Sequence, residues 1–126
     1  MTSRNILFAD DNLHIREFCQ RMFAEEGYRV VLARDGDEAV RLAIKEHFDL
    51  IILDVGMPNV SGFEAALRIK TVCPSVPLVF FTAHDKWRLP SEVRKLAVAC
   101  VEKADDLTEL KRVVAKLMGI VWSTRH

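Results

Sequence analysis

Five residues carry side chains suited to chemistry on an anion, and each stands at the end of an apolar run. Asp10 and Asp11 follow Asn5-Ile6-Leu7-Phe8-Ala9, and Asp54 follows Leu50-Ile51-Ile52-Leu53. Thr82 follows Leu78-Val79-Phe80-Phe81, and Lys103 follows Val98-Ala99-Cys100-Val101-Glu102. Singly, each has a plain explanation: Asp10 caps a helix, Asp54 and Thr82 stabilise turns, and Lys103 is a solvated lysine paired with Asp105 or Asp106. Those explanations do not account for all five falling at strand ends. Three carboxylates held within a few ångströms repel one another, and the relief is a raised pKa or a counter-ion. Oxygen ligands alone, with no His or Cys at ligand spacing, select a hard cation. A site of two or three carboxylates plus waters suits Mg²⁺ better than an enclosed Ca²⁺ cage. Phosphate oxygens commonly complete a Mg²⁺ shell, and the Lys103 ammonium, the Thr82 hydroxyl and the Ala83 backbone N–H are donors for the same anion. Asp54, at the centre, has the chemistry of a nucleophile that forms an acyl phosphate.

The elements that must position these residues alternate between two periods. The run Leu50–Leu53 is apolar at every position, as in a strand buried on both faces, and Gly56 and Pro58 bring it to a sharp end. Asn12 caps a helix in which Ile15, Phe18, Cys19 and Met22 recur at helical spacing, with Arg16, Glu17 and Arg21 opposite, up to Gly27. Tyr28–Ala33 is the next strand. Asp35-Gly36 turns into a helix marked by Ala39, Val40, Ala43 and Ile44 that runs to about His47. Ser61-Gly62 opens a third helix with Phe63, Ala66, Leu67 and Lys70, stopped by Pro74 and Pro77. Pro90 starts a fourth, from Ser91 to about Ala97. Leu107, Leu110, Val114 and Leu117 form the apolar stripe of the last. Strands alternating with helices predict an α/β fold, a single doubly wound, flavodoxin-like parallel sheet of five strands with five helices on both faces. Strand order 2-1-3-4-5 gathers Asp10, Asp11, Asp54, Thr82 and Lys103 into one crevice at the carboxyl edge.

With 126 residues, half of them apolar, the chain has the size of one domain with one core, spanning 1–126. Eighteen basic residues balance eighteen acidic ones. Bulk charge therefore gives no reason to expect direct nucleic-acid contact or an anionic membrane. Cys19, Cys73 and Cys100 are odd in number and lack zinc spacing, which reads as reduced thiols in the cytoplasm, with Cys19 and Cys100 in the core. No segment approaches the ~20 apolar residues of a membrane span. Lys111, Arg112 and Lys116 read as a solvated face, with a homodimer contact as the alternative.

These motifs resemble the receiver domain of bacterial two-component response regulators over nearly the whole chain. The likeness rests on the acidic pair Asp10-Asp11, the Asp-x-x-Met-Pro-x-x-x-Gly run from Asp54 to Gly62, Thr82-Ala83, and Lys103. The resemblance implies that Asp54 accepts a phosphoryl group from the phosphohistidine of a sensor histidine kinase or a phosphotransfer protein. It implies Mg²⁺ held by Asp11, Asp54 and the Gly56 carbonyl, with Asp10 acting through water. It also implies a conformational shift that controls a downstream protein. Such a domain is a signalling switch rather than an enzyme, catalysing only its own phosphorylation and dephosphorylation. An aspartyl-nucleophile phosphatase would carry a second Asp where Gly56 stands. A receiver-like adaptor that binds partners without phosphorylation is the other alternative.

The departures fall on the output side. Ala104 stands where the family usually has Pro after the lysine, Cys100 where it has an aromatic ring, and Leu96-Ala97-Val98 where it has Gly. A thiol at Cys100 is too small to carry the usual aromatic movement, so the response is expected to run through the loop from Thr82 to Pro90, reported by Trp87. His84 and Gly56 are expected to set the lifetime of the phosphorylated state, His84 more than Gly56. Trp122 reads either as a packing plug or as an exposed contact.

Overall fold

Period-2 alternation inside the strands decides which side chains meet which helices. The computed structural model describes residues 4–56, 62–83, 90–103 and 107–125, with side chains described up to Gly119. Its elements are β1 (Arg4–Ala9), α1 (Leu13–Glu25), β2 (Tyr28–Ala33), α2 (Gly36–Lys45), β3 (Leu50–Leu53), α3 (Gly62–Val72), β4 (Leu78–Thr82), α4 (Ser91–Arg94), β5 (Ala99–Glu102) and α5 (Thr108–Arg125). The five strands pair in parallel in the order β2-β1-β3-β4-β5, as the alternation of strands and helices predicts. Leu7, Ala9, Ile51, Leu53, Leu78 and Phe80 point to one face and pack with Ala39, Val40 and Ala43 of α2 and Ala65, Ala66 and Ile69 of α3. Their neighbours Ile6, Phe8, Leu50, Ile52, Val79, Phe81 and Val101 point to the other, against Cys19 and Phe23 of α1 and Leu110, Val114 and Met118 of α5. Both faces of β1, β3 and β4 are therefore dry, which is why these strands read as unbroken apolar runs.

Local chemistry sets the helix ends. Asn12 caps α1, accepting from the Ile15 N–H at 3.1 Å, and Asp35 caps α2, accepting from Glu38 N–H at 2.8 Å. Gly27, at φ 92°, takes the left-handed conformation that ends α1, its N–H donating to the Ala24 carbonyl.

Several sequence expectations are corrected. Phe18 is 56% exposed, because the core stripe of α1 runs through Cys19 and Phe23, and Phe18 lies ~100° around the helix from Cys19. Ile44 and Leu67 are likewise exposed at the outer flanks of α2 and α3. In α5 the buried stripe is Leu110, Val114 and Met118, while Leu117, like Leu107 just before the helix, is only partly buried. Helix α4 ends at Arg94 rather than Ala97 and buries no residue, so little holds a longer helix against the sheet. Strand β5 begins at Ala99, with Val98 exposed before it. Cys19 is fully buried as expected, but Cys100, on a sheet-edge strand over this short α4, is only partly so. Met57, Pro58, Ser61, His84, Trp87, Ala104 and the Trp122 side chain lie outside the described residues, and with them the expectations for the Ala104 turn, the Thr82-to-Pro90 loop and His84.

Candidate functional site

The alternation that sorts the core also assembles the site. Continued one residue past the ends of β1 and β3, it carries Asp10 and Asp54 to the α1/α5 side of the sheet, where Lys103 arrives from the end of β5. Backbone bonds fix these strand ends to one another. The Asp54 N–H donates to the Ala9 carbonyl at 2.9 Å, the Asp10 N–H to the Ala33 carbonyl at 3.1 Å, and the Lys103 N–H to the Thr82 carbonyl at 2.7 Å. Thr82, fully buried, is the last residue of β4, and Ala83 follows it exposed at the edge. Asp10, Asp11, Asp54, Thr82, Ala83 and Lys103 therefore stand on one edge.

Asp10, Asp11 and Asp54 each bring a carboxylate oxygen to within 4.8 Å of the others. Asp10 is fully buried and Asp54 nearly so, whereas Asp11 is exposed. Lys103 supplies the internal counter-ion, with Nζ 2.7 Å from Asp10 Oδ2 and 3.2 Å from Asp54 Oδ2. The contact with Asp54 is a hydrogen bond. The shorter one pairs the ammonium with the buried Asp10 Oδ2, so that a single lysine serves both carboxylates. Asp10 Oδ1 accepts from the Asn12 N–H at 2.9 Å, and Asp54 Oδ1 from the Gly56 N–H at 3.0 Å.

Burial pushes the Asp54 pKa above the ordinary carboxylate value, and the Asp10 charge adds to this, against the opposing pull of the Gly56 N–H and Lys103. Burial would lower the Lys103 pKa, but the Asp10 and Asp54 carboxylates more than reverse it. Beneath the site, the Cys19 thiol is pushed up to about 12, chiefly by burial and then by the Asp10 charge, so it is an inert core residue. The site thus holds more negative charge than one ammonium neutralises. Three carboxylates sharing one ammonium, two of them buried and the third exposed, are an all-oxygen donor set that fits a hard divalent cation.

Two side chains were not legible as parts of the site, and one glycine of the Asp54-to-Gly62 run gains a physical reason. Arg16, expected on the solvent side of α1, is half-buried, and its Nη1 donates to the Asp10 carbonyl at 2.8 Å. Phe81, a core residue in sequence terms, also lies under the Lys103 ammonium, 5.4 Å from ring centroid to Nζ. Gly62 packs its Cα against the backbone of Asp54 and Val55. From Lys103 a groove of about 670 Å³ runs between α1 and α5, past Phe81, Ile15, Phe18, Met22 and Leu107.

Comparison with known proteins agrees with this geometry. Over 121 residues the chain is 29% identical to sporulation initiation phosphotransferase F of Bacillus subtilis, covering 95% of this chain and 98% of that protein. It is 32% identical over 117 residues to the autoinducer 1 sensor kinase/phosphatase LuxN of Vibrio campbellii, covering 93% of this chain but only 14% of LuxN. Among solved structures, the response regulator TrrA of Thermotoga maritima in complex with Mg²⁺-BeF superposes with a TM-score of 0.84 at 34% identity, covering 90% of this chain and 98% of TrrA. TrrA bound to the histidine kinase ThkA matches with a TM-score of 0.83, covering 90% of this chain and 97% of the matched one. The family model for the response regulator receiver domain matches residues 6–115. With that match across the sheet and every strand end of the site, the chain belongs to the receiver domain family of two-component signalling, whose acidic pocket binds Mg²⁺.

Proposed function

We propose that Asp54 is the phosphoacceptor of this receiver domain, with Asp10, Asp11, Asp54 and the Gly56 carbonyl as the metal-binding set and Thr82, Ala83 and Lys103 as readers of the phosphoryl group. The observation that carries the reading is the cluster of Asp10, Asp11 and Asp54 with Lys103 reaching across it. In the step proposed, an Asp54 carboxylate oxygen attacks the phosphorus of a phosphoimidazole. The P–O bond forms as the P–N bond breaks, and the electron pair leaves on the imidazole nitrogen, which takes a proton from solvent. Mg²⁺, when bound, supplies positive charge that offsets repulsion between the carboxylates and the incoming phosphoryl oxygens. The Gly56 N–H orients the nucleophile, and Lys103 exchanges its present carboxylate partners for the new oxyanion. The domain catalyses this reaction on itself and turns over no other substrate. Incubation with acetyl phosphate and Mg²⁺ is expected to add the mass of one phosphoryl group to the chain. Asp54→Asn or excess chelator should prevent the addition. An unlabelled wild type would favour the partner-binding adaptor instead, and a labelled Asn variant would move the acceptor elsewhere.

The donor in this reading is a histidine kinase or phosphotransfer protein, as TrrA is bound by a kinase in its complex. Three free cysteines are in keeping with cytoplasmic action. No helix among the described residues is long and apolar enough to cross a membrane. The donor imidazole must approach along the carboxyl edge, and the groove beside Lys103 leads there past Phe18, a large apolar side chain left in solvent. Phe18→Asp is therefore expected to slow transfer from a phosphorylated kinase by roughly 30-fold, the size of a ~2 kcal/mol interface anchor. Labelling by acetyl phosphate should not change. Equal loss with both donors would mean that Phe18 supports the site rather than a partner.

A further inference from the structure

The β1–β2 ladder ends at the Ala9–Ala33 pair, and by Asp35 the chain is already the cap of α2. The Asp10 carbonyl thus stands beyond the last strand partner, at the peptide that joins the two acidic residues, and Arg16 Nη1 supplies its donor at 2.8 Å. Arg16 comes from the first turn of α1, whose start is itself tied to this loop. Asn12 caps the helix, its carbonyl accepts from the Arg16 N–H at 3.0 Å, and its N–H donates to Asp10 Oδ1. The loop from Asp10 to Asn12 is consequently closed by a side-chain clasp on one side and by an Asx contact on the other. Exposed Asp11 sits between them, with no burial to fix it.

We propose that Arg16 is a positioning residue for the metal site: by holding the Asp10 carbonyl it fixes the Asp10–Asp11 peptide, and so sets the approach of the Asp11 carboxylate to Asp10 and Asp54. This rests on the reading of those three carboxylates as metal ligands. Charge and geometry make opposite predictions. A guanidinium beside a cation site weakens cation binding through repulsion, so removing it for charge reasons alone would tighten Mg²⁺. A residue that pre-orders ligands strengthens binding, and removing it loosens Mg²⁺. The clasp is made to a backbone carbonyl, a partner that has no net charge to neutralise. The Arg16 charge, on a half-buried side chain, is screened by solvent, whereas its hydrogen bond acts directly on the ligand loop, so the geometric effect outweighs the repulsion.

The test is a Mg²⁺ titration followed by the amide shifts of Asp10, Asp11, Asp54 and Gly56, in wild type and in Arg16→Met, which keeps an apolar stem and removes the donor. The wild type should show saturable shifts at these residues, and Arg16→Met should bind about tenfold more weakly, the usual scale for losing an outer-shell partner. Lower thermal stability alone would not move this affinity while the variant remains folded, so the dissociation constant separates positioning from general support. Should Arg16→Met fail to give a folded spectrum, Arg16→Gln, too short to reach the carbonyl, is measured in the same way with the same expected direction. Affinity that is unchanged or tighter in the folded variant overturns the proposal. Absence of shifts in the wild type would overturn the metal site itself, and the proposal with it.

Discussion

Lys103→Met is expected to destabilise the metal-free protein by about 3–5 kcal/mol, the usual cost of leaving a buried charge without its partner. The ammonium lies between Asp10 and Asp54, and Asp10 is fully buried. Methionine keeps the apolar stem over Phe81 but leaves both carboxylates without a counter-ion. The loss should depend on the metal. In wild type Mg²⁺ has to share the carboxylates with the ammonium, whereas in the variant it meets them unpaired. Mg²⁺ is therefore expected to bind the variant more tightly and to restore much of the lost stability, since a ligand at 100 times its dissociation constant contributes about 2.7 kcal/mol. Urea unfolding in chelator and in excess Mg²⁺ measures both effects. Equal destabilisation in the two conditions would mean that Lys103 acts by packing alone.

The pH dependence of the same interaction has a definite sign. The folded-state pKa of Lys103 is raised above 10.5, with the two carboxylates outweighing burial. Its contribution is therefore fully present below that ordinary value and is lost only as pH climbs through the higher folded one. Asp54 works in the opposite sense. Its folded pKa is raised, so ionised Asp54 costs stability above the ordinary carboxylate range, and this cost eases as pH falls through the folded value. In a metal-free receiver the ionised nucleophile, the form required for chemistry, is therefore the form that the fold disfavours.

The sheet was legible from sequence because burial on both faces leaves unbroken apolar runs, and because Asn12 and Gly27 state their roles in their own chemistry. Asp10, Asp11, Asp54, Thr82 and Lys103 were legible for a related reason. A carboxylate or lysine directly after a buried strand has only the sheet edge to occupy. What a single sequence does not carry is the angular detail of half-buried faces. Phe18 and Cys19 are adjacent apolar residues on one helix, and only the packing of α1 against the sheet decides that Cys19 goes in and Phe18 stays out. Arg16 escaped for the complementary reason: its charge reads as solvent-facing, while its partner is a backbone carbonyl that no residue type announces.

Gly62 shows how space alone can bind a remote residue to the acceptor. A Cβ built there would lie 2.5 Å from the Val55 Cα and closer still to the Asp54 carbonyl oxygen, so backbone rather than a flexible side chain must give way. The objection to a side chain at this position is its volume. Gly62→Ala must either push the start of α3 outward or turn the Asp54–Val55 peptide against the preceding one, which is tied to the Ala9 carbonyl through the Asp54 N–H. The expected cost lies at or above the upper end of the ~1–3 kcal/mol typical of overpacking. Labelling of Asp54 by acetyl phosphate should slow with it, because the carboxylate moves with its own backbone. Gly119→Ala is the control. Gly119 lies within α5 with nothing within 4 Å of an added Cβ, so alanine there should stabilise by about 0.5–1 kcal/mol through helix propensity alone. Urea midpoints of the two variants should therefore move in opposite directions. If Gly62→Ala is as stable as Gly119→Ala and is phosphorylated at the wild-type rate, the contact with Asp54 and Val55 is slack, and the start of α3 does not hold the acceptor in place.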